Sequence, residues 1–303
     1  GIDTSAVQTF TITVNPVNDP PTITGQNLVS TAEDTARTIA FADLTVTDLD
    51  NAYPTGFTLT VSDGANYTRT GNTITPALDF AGTLTVPVIV NDGADNSNTF
   101  NLSVTVTAVN DAPVNTVPGA QNTGEDVVLV FNAANSNLIS ISDVDVGGSD
   151  LTVTLSVTTG TLSLSGTAAL TFTVGDGAAD ATMTFTGALT AINAALNSLS
   201  FQPPLDTTGN STLTLTTDDQ GNTGAGGGLN DIDTVTITIT AVNDAPVIAN
   251  LAGDTLAYTQ GEPASVIDQN DDASASDIDS TDFDTSTLTV SLPLNLRKRG
   301  GRK

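Results

Sequence analysis

The stretch Thr105-Val106-Thr107-Ala108-Val109-Asn110-Asp111-Ala112-Pro113 runs from strict alternation into an Asn-Asp-Ala-Pro break. The break returns twice, as Val17-Asn18-Asp19-Pro20-Pro21 and as Val242-Asn243-Asp244-Ala245-Pro246. Each copy follows a Thr-rich alternating run: Thr9–Val14, Asn101–Thr107 and Thr234–Thr240. Period-two alternation is the pattern of a strand with one buried face. Proline fixes φ, lacks an N–H and holds the residue before it extended, so each strand leads into a straight, stiff linker. The linker asparagines are 92 and 133 residues apart, each the size of a unit with its own core.

Two further landmarks repeat in the same order. A glutamate follows the linker asparagine by 15, 15 and 19 residues, at Glu33, Glu125 and Glu262. An Asp-x-Asp pair follows each glutamate by 15, 18 and 15 residues, at Asp48/Asp50, Asp143/Asp145 and Asp277/Asp279. Between landmarks the chain reads as strands, such as Phe57–Val61, Thr83–Val90, Leu151–Val157 and Ala169–Val174. Asp63-Gly64, Asp92-Gly93 and Asp176-Gly177 supply hairpin turns between them. Short strands at this spacing predict an all-β chain of tandem β-sandwich repeats. One short helix is expected in the second repeat, where apolar residues fall at 189, 192, 196 and 199.

The expected organisation has five parts. Residues 1–17 are the closing strand of a preceding repeat, so the chain reads as a fragment of something longer. One repeat spans 18–110, a larger one with an insertion spans 111–243, and the truncated start of a third spans 244–292. Residues 293–303 form an atypical basic tail. So short a third repeat cannot close a sandwich, and loose order is expected from 247 onward.

Composition narrows the chemistry. The chain carries 34 acidic and 7 basic residues, net −27, and five of the basic ones lie at Arg297, Lys298, Arg299, Arg302 and Lys303. The body keeps only Arg37 and Arg69. Such a surface cannot neutralise phosphates, which argues against nucleic acid, and no apolar run is long enough for membrane insertion. With no cysteine and no histidine, zinc, copper and iron–sulfur sites are disfavoured, as are triads and histidine acid–base catalysis. Aromatic residues make up 4% of the chain and tryptophan is absent, so a sugar platform or an aromatic-walled cleft for glycoside hydrolysis is not expected. No enzyme activity is expected of this segment. The Thr-x-Thr runs suggest an ice-binding face less than they suggest ordinary strands with threonine outward, because sandwich strands twist.

The unpartnered acids are left to solvent or to a cation. Calcium takes six to eight oxygen ligands at about 2.3–2.6 Å from carboxylates, amide and backbone carbonyls and water. Asp-x-Asp offers two carboxylates from one loop, and a glutamate can add a bidentate one. The acidic stretch 268–284 does not have the order of an EF-hand loop, and the calcium β-roll nonapeptide is missing. Gly226-Gly227-Gly228 reads as a flexible loop.

The linker Asn-Asp-x-Pro, the early glutamate and the later Asp-x-Asp resemble the calcium-binding landmarks of cadherin repeats. Ala-Val-Asn-Asp-Ala-Pro-Val, with Asp79-Phe80-Ala81-Gly82-Thr83 and Val90-Asn91-Asp92-Gly93, is similar more narrowly to the cadherin-like tandem repeats of large bacterial surface adhesins and biofilm proteins. The resemblance covers about 1–292. It implies Ig- or cadherin-like sandwiches with Ca2+ at each junction. Asn18, Asp19, Asp48 and Asp50 would serve the junction before the first repeat. Asn110, Asp111, Asp143 and Asp145 would serve the middle one. Asn243, Asp244, Asp277 and Asp279 would serve the last. Glu33, Glu125 and Glu262 would join them, with the end of the sandwich they face left open. The Asp-Arg-Glu motif of animal cadherins is missing. Asp92 and Asp95 stand as candidates for the upstream ligands of repeat 1, and Asp218 and Asp219 for those of repeat 2.

The resemblance also implies an extracellular, cell-surface setting and a spacer or stalk role in adhesion or biofilm formation. Its partners would be calcium ions, neighbouring repeats and a host-cell, surface or matrix receptor. A receptor- or glycan-binding module, or an accessory region of a secreted enzyme, remains the alternative.

Overall fold

The computed structural model describes residues 1, 3–221, 223–250 and 273–279. The expected Glu262, the basic tail and most of the third repeat lie outside the described residues.

Two hydrophobic cores follow one another along the chain. The first gathers residues between Ile23 and Val106, the second residues between Phe131 and Ile239. In the first, a four-stranded sheet runs in the order Val29–Ala32, Phe100–Thr107, Gly82–Asn91, Thr58–Val61. The first pair is parallel and the others antiparallel. A second sheet holds Arg37–Thr38, Thr73–Pro76 and Tyr67–Thr70, and Thr22–Gln26 pairs with Leu44–Thr47. Alternation along Gly82–Asn91 buries Leu84, Val86, Val88 and Val90 and turns threonines outward, as period two requires.

The second sandwich repeats this plan and adds to it. Gln121–Gly124, Asn230–Thr240, Gly209–Asp218 and Asp150–Val157 match the four-stranded sheet. Leu129–Phe131, Leu199–Gln202 and Thr161–Ser163 form the three-stranded partner. The extra residues enter between Thr161–Ser163 and Leu199–Gln202. They form a hairpin, Thr171–Val174 with Thr182–Ala188, that widens the larger sheet to six strands, then the helix Leu189–Leu196. Met183 and Phe185 from the hairpin and Ile192 and Leu196 from the helix are fully buried in the second core. The insertion is thus part of the sandwich. The described residues are all-β with one short α-helix.

Residues 9–14 differ from expectation. They form no strand, and Val7, Phe10, Ile12 and Val14 are exposed, because no described segment lies alongside to pair with them. Val247–Ala249 pairs with Ser274–Ser276 as Val114–Thr116 pairs with Ser140–Ser142. Among the described residues, no helix is long and apolar enough to cross a membrane.

Candidate metal centre

The acidic landmarks collect at the ends of the sandwiches, and strand direction decides which end. In each of the two described sandwiches the last strand exits into the next linker. The strand before it runs antiparallel, so the hairpin between the two lies at the entry end.

Each Asp-x-Asp pair folds in one manner. The first aspartate turns one oxygen back onto its own loop. Asp48 Oδ1 accepts the N–H groups of Asp50 and Asn51, both at 2.8 Å. Asp143 Oδ1 accepts those of Asp145 and Val146 at 3.2 and 2.9 Å, and Asp277 Oδ1 accepts that of Asp279 at 2.9 Å. The second aspartate then receives the linker. Asp50 Oδ2 takes the N–H of Asp19 at 2.7 Å, Asp145 Oδ2 that of Asp111 at 3.3 Å, and Asp279 Oδ2 that of Asp244.

The linker asparagine is held by the entry-end hairpin. Asn18 Nδ2 donates to Asp92 Oδ2 at 2.9 Å and Asp95 Oδ2 at 3.0 Å. Asn110 Nδ2 donates to Asp219 Oδ2 at 2.7 Å. Asp92, Asp95, Asp218 and Asp219, expected at the junction that follows their repeat, lie at the opposite end. Asp218 Oδ1 accepts the N–H of Gln220 at 2.7 Å. Asn243 donates its amide to the carbonyl of Asp244 at 2.9 Å.

The exit end carries the glutamates. The N–H of Glu33 extends the parallel ladder to Thr107 O, and its Oε1 accepts the N–H of Val109. Glu125 does the same with Thr240 O and the N–H of Val242, the latter at 3.0 Å. Both side chains are buried, and both face the junction after their own repeat.

The exit end also holds acids the sequence reading had not singled out as ligands. Asp34 and Asp126 follow the glutamates directly, and Asp79 and Asp206 sit in later turns. All four adopt the left-handed region, at φ 55°, 60°, 55° and 51° respectively, which aspartate tolerates better than most side chains. Asp79 and Asp111 line one shallow cleft with Val114 and Asp143, so upstream and downstream acids share it. At the last junction one carboxylate oxygen each from Glu125, Asp244 and Asp279 lies within 4.8 Å of the others, as does one each from Asp126, Asp206 and Asp244. The signal for Asp79 and Asp206 was present: both repeats carry Leu-Asp there, at Leu78-Asp79 and Leu205-Asp206.

The electrostatics are one-sided. Asp111 is raised above the ordinary carboxylate range by burial and then by Asp79, Asp145, Glu33 and Asp34. Asp244 is raised by burial and then by Asp279, Asp206, Asp126 and Glu125. Burial, with the neighbouring Asp145 carboxyl, pushes Asp143 up to about 6. At the entry hairpins the balance reverses. Asp92 is lowered by the N–H groups of Asp95 and Ala94 and by Asn18. Asp219 is lowered too: burial pushes it up, but the N–H groups of Leu229 and Gly221 and the Asn110 amide outweigh it. No described arginine offsets the seams, since Arg37 pairs with Asp43 and Arg69 with Asp63.

Several oxygens at the seams are buried without a hydrogen-bond donor: Asp48 Oδ2, Asn110 Oδ1, Asp143 Oδ2, Asp145 Oδ1 and Asp244 Oδ2. Buried polar atoms are rarely left so, because each forfeits its hydration. Acceptors with no donor, all carboxylate or amide oxygen, fit a hard cation of the calcium type.

No protein-family model matches the chain, and no curated protein matches it. Solved structures overlap it loosely. Human mucin-like protocadherin EC1-2 is 14% identical with a TM-score of 0.36, covering 73% of this chain and 98% of that one. Human CDH23 EC21-23 is 16% identical with a TM-score of 0.44, covering 88% and 82%. Human protocadherin-24 EC1-2 is 17% identical with a TM-score of 0.37, covering 74% and 100%. Overlaps this loose say nothing of what the chain does.

Proposed function

We propose that the chain is a calcium-stiffened extracellular spacer, part of the stalk of a bacterial surface adhesin that acts in cell adhesion or biofilm formation. The observation that carries the calcium reading is the set of buried carboxylate and amide oxygens without donors at the seams. At the middle junction the ligands would be Glu33, Asp34 and Asp79 from the upstream repeat and Asp111 and Asn110 from the linker. Asp143, Asp145 and Asp219 would serve from the downstream repeat. The last junction would use Glu125, Asp126, Asp206, Asp244, Asp277 and Asp279. The junction before the first repeat would use Asn18, Asp19, Asp48, Asp50, Asp92 and Asp95.

The chain's own groups supply the mechanism. Carboxylates from three or more separate segments meet at each seam, and without a counter-charge they repel and loosen it. A bound divalent ion supplies that counter-charge. The backbone bonds from each linker to Glu33 or Glu125, and to the Asp-x-Asp loops, already set the groups in register. Extracellular calcium modules bind at about 10⁻⁴–10⁻³ M, too weakly to fill in a cytosol. The chain would stay pliable before export and stiffen outside. The adhesin assignment is supported by the linker wording Ala-Val-Asn-Asp-Ala-Pro-Val and its recurrence.

The test is calcium titration of the chain by calorimetry, followed by melting and small-angle scattering in calcium and in chelator. Binding in the sub-millimolar to millimolar range, a higher Tm and a longer, stiffer particle in calcium are expected. An unchanged Tm and scattering profile would reduce the acids to a solvated surface and end the proposal.

A further inference from the structure

The three linkers share one sequence but are not held alike. In the second sandwich the entry-end hairpin, between Gly209–Asp218 and Asn230–Thr240, ends in a glycine-rich loop that closes over the linker. Ala225 N–H donates to Ala108 O at 3.1 Å, and Asn110 N–H donates to Ala225 O at 2.9 Å, with a parallel bridge between Val109 and Ala225. Asn110 Nδ2 adds a bond to Gly227 O at 3.1 Å beside its bond to Asp219. Asn110 is left only 5% exposed.

The glycines explain how the loop approaches so closely. A Cβ on Gly224 would lie 2.5 Å from Asn110 N and 2.6 Å from the Val109 carbonyl carbon, and its φ of +77° suits glycine. The loop also folds onto itself, since a Cβ on Gly221 would lie 2.5 Å from Gly228 N. The first repeat has a shorter hairpin, and it meets Asn18 through the Asp92 and Asp95 side chains. Among the described residues, the linker at 241–246 has no backbone strap of this kind.

We infer that this loop fixes the linker 108–110 onto the second sandwich by backbone pairing, whether or not an ion is bound at the seam. Side-chain carboxylates lose their hold when a counter-ion leaves; amide-to-carbonyl bonds do not. The middle junction therefore keeps its downstream half in place without calcium, and its bending is confined to the Glu33 side. Among the described residues, the linkers at Asn18 and Asn243 are tied through side-chain carboxylates instead. The inference rests on the calcium reading only for that contrast.

The experiment is amide hydrogen exchange on the full chain, in chelator and in calcium, read at single residues. The Asn110 and Ala225 amides are expected to exchange at least about tenfold slower than unprotected amides in chelator as in calcium, while the Asp19 and Asp244 amides gain protection only in calcium. Gly224→Val and Ala225→Pro, which removes the N–H donated to Ala108, should each release the Asn110 amide. Gly148→Ala, at a glycine with open space around it, should leave the amide protected. Protection at Leu213 and Leu215 reports whether each variant is folded. Unprotected Asn110 and Ala225 amides in wild-type chain in chelator, with Leu213 and Leu215 still protected, would overturn the strap. Protected amides there, with no calcium response at Asp19 or Asp244, would uphold the strap and remove the calcium reading instead.

Discussion

Replacing Asp143 and Asp145 together by asparagine removes two charges from the middle junction with little change of shape. Asparagine Oδ1 can still accept the N–H groups of Asp145 and Val146 at the first position and of Asp111 at the second. The loop should therefore fold. In chelator the variant should melt at or slightly above wild type, because the Asp143 carboxyl is held near 6 and is unfavourable when ionised at neutral pH. In calcium the order should invert. At ten times Kd one ion stabilises wild type by about 1.4 kcal/mol, which for a sandwich of this size raises Tm by roughly 4–8 °C. The variant should lose most of that rise at the transition of the second repeat. The assay is differential scanning calorimetry of the full chain with excess calcium and with chelator. Asp63→Asn is the control: its exposed carboxylate pairs with Arg69 in the connection between the two sheets of the first sandwich, where Asp63-Gly64 forms no hairpin, and its calcium response should equal wild type. A double variant that keeps the full calcium-dependent rise would refute the reasoning. So would one that loses as much stability in chelator as in calcium.

Other consequences follow from the same geometry. Asp143 has its pKa raised on folding, so its contribution favours the folded state at low pH and is lost as pH rises through about 6. In chelator, Tm should therefore climb as pH falls from about 7 to about 5; in saturating calcium the climb should vanish or reverse, since ion binding needs deprotonated ligands. Glu125→Ala should cost about 1–3 kcal/mol in chelator, because it strips a buried acceptor from the Val242 N–H, whereas Glu125→Gln should lose chiefly the calcium response. Urea midpoints in the two media separate these outcomes. Phe185→Ala, in the inserted hairpin, should cost about 3–5 kcal/mol equally in calcium and chelator; a negligible loss would mean the insertion is not part of the core.

Much of this fold was legible in local pattern. Alternation marked Gly82–Asn91 and Asp150–Val157 because one face of each is buried, and the 3.6-residue spacing of Leu189, Ile192, Leu196 and Leu199 marked the helix, although it ends at Leu196 and Leu199 opens the strand Leu199–Gln202. The candidate seams were legible in part. Asn110, Asp111 and Asp145 stand out by recurrence, and the structure sets the Asp111 N–H against Asp145 and the Asn110 amide against Asp219. The assignment of Asp92, Asp95, Asp218 and Asp219 to the following junction failed for a topological reason. A hairpin before an exiting last strand must lie at the entry end, and nothing local in Asp92-Gly93 says which strand pairs with which. Asp79 and Asp206 were overlooked because each is a single acid in a turn. Only the packed sandwich carries them to Asp111 and Asp244.

By itself, then, the sequence determined the strand period, the repeat length, the stiff proline linkers and the excess of negative charge. Each is a property of neighbouring residues or of composition. The tertiary structure alone decided which end of a sandwich each acid occupies, that Glu33 and Glu125 face the following junction, and that a glycine run expected to be loose instead straps the linker. These turn on strand direction and on close backbone approach between Gly224 and Asn110, residues that become neighbours only when the sheet has closed.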